Sequence, residues 1–173
     1  MNKLKKQFGR IYDKYIEKIY RFIFLKIGSE EIAQDLTSDT FLRGWKAFQK
    51  AQDPKNNYKI ENTQAFLYQI ARNLIADHYK EKGKVKIVSA ENIVITDLSV
   101  DLEKKAILSS DMNTIKLALN NLNENYQNVI IWRYLDDFST AEVAQMMNKS
   151  EQATRVLLHR ALKSLKDQVN RLV

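Results

Sequence analysis

The sequence predicts an all-α protein of two small helical domains joined by a linker. Three observations carry this. Glycine occurs four times and proline once in 173 residues, so turns are sparsely punctuated. Alanine, leucine, lysine, glutamate and glutamine dominate the long segments, a mix that favours helix over sheet. Apolar residues recur at helical spacing in two clusters, separated by a stretch without convincing periodicity. The expected boundaries are 1–83 for the first domain, 84–110 for the linker and 111–173 for the second.

The first helix runs from Phe8 to Ile27, with Ile11, Tyr12, Tyr15, Ile16, Ile19, Tyr20, Ile23 and Ile27 forming one apolar face. Gly28 stops it and Ser29 caps the next helix. That second helix, over 29–49, carries Ile32, Leu36, Phe41, Trp45 and Phe48. It fades into a loop signalled by Asp53, Pro54, Asn56 and Asn57. A third helix starts near Asn62 or Thr63. Phe66, Ile70 and Leu74 fall four apart, and Leu67, Ala71 and Ile75 widen the apolar face. Its expected end is Gly83.

Between Ser89 and Glu103 stand four acids (Glu91, Asp97, Asp101, Glu103) and no Lys or Arg. This is the expected linker. Ile93–Ile95 has strand composition but no second strand nearby to pair with. Beyond it, Asp111 caps a helix carrying Ile115, Leu119 and Leu122. Asn123 caps another carrying Tyr126, Ile130, Ile131, Tyr134 and Leu135. Two further helices are expected over 139–147 and 150–169.

Those last two form the sharpest local motif. Ser139 and Glu142 make an S-x-x-E capping box. Val143, Ala144 and Met147 face inward. Asn148 sits where a turn needs a left-handed residue, and Ser150 caps the following helix. Leu157, Leu158, Ala161, Leu162 and Leu165 give that helix a buried side, while Arg155, His159, Arg160, Lys163 and Lys166 crowd the others. This is a helix-turn-helix pattern, and cations on its second helix suit phosphate contact. An ordinary amphipathic hairpin with a solvated charged face has the same pattern, so this segment alone leaves both readings open.

Charge agrees with a polyanionic partner. Lys and Arg number 28 against 21 acids, a formal +7. There is no cysteine, hence no disulfide or thiolate chemistry. The two histidines, His78 and His159, lie in no metal-ligand spacing, and no glycine-rich phosphate loop is present. No enzyme, metal or cofactor is expected. The basic start lacks an apolar signal-peptide core, and no run approaches membrane-spanning length, so a cytoplasmic protein without membrane insertion is expected.

Taken together, the segments resemble a bacterial RNA polymerase sigma factor of the extracytoplasmic-function (ECF) type, within the sigma-70 family. DLTSDTFLRGWKAF (35–48) is similar to the family's helix that docks on core polymerase. AFLYQIARNLIADHYKEK (65–82) resembles the segment that melts and reads the −10 element. The stretch from Leu122 to Lys166 is similar to the domain that reads the −35 element. The chain is too short for the middle domain of the large housekeeping sigma factors.

The resemblance implies roles residue by residue. Asp35, Ser38, Asp39 and Arg43 stand at core-polymerase-binding positions, with Ser38 where the family often carries glutamine. Base capture falls to a long loop over 55–64 that lacks the family's common glycine. Tyr58, Asn62, Tyr68, Arg72, Asn73, His78 and Lys80 are the −10 candidates, Tyr58 as a stacking surface. Glu151, Gln152, Arg155, His159, Arg160 and Lys163 are the −35 candidates, although Val156 and Leu157 replace the family's usual polar pair. The implied partners are core RNA polymerase, promoter DNA and an anti-sigma factor. The acidic linker is expected to thread through cation-lined polymerase channels. The main alternative is a helix-turn-helix regulator whose first 82 residues dimerise or sense a ligand.

Overall fold

The computed structural model describes residues 2–88 and 110–173. The chain divides into two units, Met1–Ile95 and Thr96–Val173. Among the described residues every regular element is helical.

The first unit is a three-helix bundle of α1 (Asn2–Ile27), α2 (Glu30–Ala51) and α3 (Thr63–Val88), each packed on the other two. Gly28 adopts φ 77°, a left-handed value that ends α1. The Ser29 side chain then accepts a hydrogen bond from the Ile32 amide and starts α2. The core is built from Tyr15, Ile19, Phe22 and Ile23 of α1, Ala33 and Phe41 of α2, and Leu67, Tyr68, Ala71, Leu74 and Ile75 of α3. Gly44 lets α3 come close to α2. A Cβ there would stand 2.8 Å from the Leu67 side chain. At the far end of α1, Phe8 packs against Trp45 and Phe48, with ring centroids 5.2 and 5.5 Å away.

Several expectations shift here. Phe22, absent from the expected apolar face of α1, is fully buried, whereas Tyr12 is exposed. On α3 the buried side is centred on Leu67, Ala71, Leu74 and Ile75. Phe66 and Ile70 lie only half-buried at its edge. The helix also continues beyond Gly83 to Val88. The acidic residues Glu91, Asp97, Asp101 and Glu103, and the Ile93–Ile95 segment, lie outside the described residues.

The second unit comprises α4 (Ser110–Asn120), α5 (Glu124–Ile130) running into a π-helical turn (Ile131–Leu135), α6 (Thr140–Met147) and α7 (Glu151–Leu172). The long α7 packs against α4, α5 and α6. Asp111 lies inside α4 rather than capping it. Asn123 caps α5 as its side chain accepts from the Tyr126 amide. The π turn widens the helix after Ile131, with the Asp136 amide reaching back five residues to the Ile131 carbonyl. Trp132, Val129, Ile130 and Ile131 fill the core beside it, while Tyr134 and Leu135 stay exposed. Ile115 and Leu162, expected to be buried, are exposed too. The inward side of α7 instead uses Thr154, Leu158 and Ala161.

Candidate nucleic-acid interface

The outer face of α2 is the first element of the site. Asp35, Ser38, Asp39 and Arg43 are all exposed, while Ala33, Thr37, Thr40, Phe41 and Gly44 point into the bundle. At 100° per residue the four outward residues span an arc of about 140°. Leu42 lies within the same arc and is 51% exposed. It is an apolar side chain half in water among charges, which adds hydrophobic area to this exposed face. The signal was legible in the sequence, because Leu42 follows Ser38 by four and Asp39 by three.

The second element is the 52–62 loop with the outer face of α3. The loop is ordered by its own polar side chains. Asp53 accepts from the Lys55 amide at 3.0 Å, and Asn56 from the Tyr58 amide at 3.1 Å. Between Ala51 and Lys59 it encloses an open hollow of about 580 Å³. Tyr58 is half-buried at its edge, and the Lys50 ammonium sits 5.5 Å from the ring centroid. Asn62 has a structural task. Its side-chain oxygen accepts from the Ala65 amide at 3.0 Å and caps α3.

Along α3, Gln69, Asn73 and Lys80 share one exposed stripe, with Arg72 on its flank. The Gln69 amide donates to the Asn73 side-chain oxygen at 2.9 Å, which orients Asn73 outward. Two expected contacts do not belong to this stripe. Tyr68 is 1% exposed, and its ring meets Phe22 edge-on at 5.2 Å and 90°. It is a core residue and offers no face to a base. His78 is half-buried and lies about 140° round the helix from Asn73. Its ring packs edge-on against Tyr79.

Sequence reasoning also missed Tyr79. Its hydroxyl donates to the Lys26 carbonyl at the end of α1, which ties α3 to α1 and satisfies an orphan carbonyl of that helix. Burial raises its pKa. Gln64, buried at the start of α3, likewise accepts a hydrogen bond from the Tyr15 hydroxyl at 3.2 Å. Both links span some fifty residues of chain, so local patterning carries no trace of them.

The third element is the helix-turn-helix. Ser139 accepts from the Glu142 amide at 3.1 Å, and Glu142 returns a bond from the Ser139 amide at 2.8 Å. Both halves of the capping box are therefore made. Asn148 ends α6 at φ 53° and ψ 47°, the left-handed conformation the turn requires. Ser150 then accepts from the Ala153 amide and opens α7. Val143 and Ala144 are buried against α7.

On α7, Glu151, Gln152, Arg155, His159, Arg160 and Lys163 are all exposed. From Arg155 through His159 and Lys163 to Arg160 they turn through about 140°, opposite the buried Thr154, Leu158 and Ala161. Val156, also exposed, sits within this arc. Glu151 pairs with Arg155 at 3.5 Å on successive turns. No group of three or more metal-binding side chains occurs among the described residues.

A capped helix-turn-helix whose second helix turns a cationic side to solvent is the architecture of the DNA-binding class, and the family matches decide between that class and a merely solvated hairpin. Comparison with known proteins narrows the class. Residues 11–85 match the family described as Sigma-70 region 2, and residues 112–165 match Sigma-70, region 4. The chain is 33% identical over 159 residues to the ECF RNA polymerase sigma factor BldN of Streptomyces coelicolor. That alignment covers 91% of this chain but 58% of BldN. It is 26% identical to the ECF sigma factor SigW of Bacillus subtilis, over 95% of this chain and 90% of the relative. The fold is shared with the sigma factor RpoE of Bartonella quintana, solved with the anti-sigma factor NepR. The TM-score is 0.67 at 20% identity, covering 95% of this chain and 98% of RpoE. The chain belongs to the sigma-70 family of RNA polymerase sigma factors, in its ECF branch.

Proposed function

We propose that this sigma factor divides the work of initiation between its two units. The unit before residue 84 holds core RNA polymerase through the α2 face of Asp35, Ser38, Asp39, Leu42 and Arg43. The same unit opens and reads the −10 element with the 52–62 loop and the α3 stripe of Arg72, Asn73 and Lys80. The unit after residue 110 reads the −35 element with α7. The observation that carries this reading is the pairing of outward polar and cationic helices with the two matched sigma regions, in chain order. A sigma factor supplies recognition and strand opening, and the chemistry belongs to the polymerase, so no residue here is assigned a catalytic role.

No described helix is long and apolar enough to cross a membrane. The regulator with a dimerising first unit is not favoured, because residues 11–85 match sigma region 2. An anti-sigma factor would act by covering these same outward faces. The test is capture of core polymerase by the purified chain, followed by run-off transcription from a promoter template. Capture with promoter-dependent transcripts is the expected result. A dimer that ignores core polymerase would restore the regulator reading.

A further inference from the structure

Positive charge is unevenly spread over the helices. Residues 2–27 hold eight Lys or Arg against two acids, a net +6 in a chain of net +7. The other cationic helices, α3 and α7, already have proposed DNA contacts. The most cationic helix, α1, has none.

The charges of α1 are ordered. Lys3, Lys6, Arg10 and Lys14 are exposed and fall within about 80° of one another, along about 16 Å of helix. No acid precedes Asp13. Among the described residues, none forms an ion pair with Lys3, Lys6 or Arg10. Folding does not account for them either. The inward side of α1 is closed by Phe8, Tyr15, Ile19 and Phe22, and cations in the first turns oppose the helix dipole rather than complement it.

Their position points to a partner. Phe8 packs on Trp45 and Phe48 near the end of α2, and the Tyr15 hydroxyl bonds Gln64 at the start of α3. The first turns of α1 therefore stand at the end of the bundle that carries the 52–62 loop. A strand whose base enters that loop brings its sugar-phosphate backbone to the same end.

We propose that Lys3, Lys6, Arg10 and Lys14 form a phosphate-binding surface that holds promoter DNA beside the base-capturing loop. The surface meets the backbone only, so it adds affinity and salt dependence without sequence preference. The proposal rests on the −10 role assigned to this unit, and its test separates the two.

Holoenzyme carrying Lys3→Gln, Lys6→Gln and Arg10→Gln together is titrated against salt on DNA with a −10 element, a single-stranded non-template strand and no −35 element. Loss of three phosphate contacts lowers the slope of log affinity against log salt by about two to three. A charge-keeping variant, Lys3→Arg with Lys6→Arg and Arg10→Lys, retains the parent slope. An unchanged slope in the glutamine variant overturns the proposal. So does a loss confined to affinity for core polymerase, which would make the face a protein contact. Asn73→Ala is measured for strand opening in parallel. If it impairs opening while the glutamine variant keeps its slope, only the α1 surface falls. If Asn73→Ala is silent while the slope drops, the phosphate surface stands and the −10 assignment on α3 falls.

Discussion

Arg155→Ala and Arg160→Ala should separate base reading from phosphate anchoring on α7. Arg155 meets Glu151 at 3.5 Å, and the two side chains are 68% and 53% exposed. An exposed i, i+4 pair of this kind contributes about 0.3–0.5 kcal/mol to folding. Arg155→Ala should therefore leave the stability of the free protein within about 0.5 kcal/mol of the parent. Under the proposed −35 role the same arginine, near the start of the helix-turn-helix's second helix, would reach a base edge. Its loss then weakens binding by about 1–3 kcal/mol, roughly 5- to 150-fold in Kd. Arg160 is five positions on and about 140° round the helix, so it meets a different part of the duplex. Arg160→Ala should weaken all promoters alike and lower the salt slope by about one. The assay is holoenzyme affinity for a promoter and for variants with single changes in the −35 element, repeated over a range of salt. Arg155→Ala should relax discrimination at one position, and Arg160→Ala at none. If both variants bind every template as the parent does, α7 does not present the DNA face.

Reversing Asp35 and Asp39 to lysine should lower affinity for core polymerase, measured by pull-down, while circular dichroism shows an unchanged helical fold. Asn73→Ala should leave core binding intact and reduce permanganate reactivity of the melted thymines. Tyr68→Ala, by contrast, should lower the stability of the first unit by about 3–5 kcal/mol, the range for an aromatic core truncation, as read by denaturant unfolding. Tyr79 gives a pH signature. Its pKa is raised in the folded unit, so the unfolded chain loses that proton first as pH climbs. The stability it contributes is complete below the ordinary tyrosine range, near pH 10, and declines above it. Tyr79→Phe should flatten this decline in alkaline unfolding curves, and an unaltered decline would assign it to other groups.

What was legible in the sequence follows the range of the interaction concerned. Helix boundaries at Gly28, Ser29, Asn123, Ser139, Asn148 and Ser150 are set by a residue and its neighbours within four positions, and the structure makes each of them. The rotation of α3 depends on distant partners. Phe66, Leu67, Tyr68, Ile70, Ala71, Leu74 and Ile75 spread apolar character over most of the helix, so periodicity alone allowed more than one inward face. The choice was made by Phe22, whose edge fills the space beside Tyr68, and by Gly44, which admits Leu67. One constraint was nonetheless available from the sequence. Tyr68 and His78 each stand five residues from Asn73, and five residues turn a helix through about 140° beyond a full circle. No straight helix presents all three to one strand of DNA. With Asn73 outward and held by Gln69, Tyr68 and His78 must turn towards the bundle, which leaves Arg72, Asn73 and Lys80 as the outward face, the one proposed to meet the −10 strand.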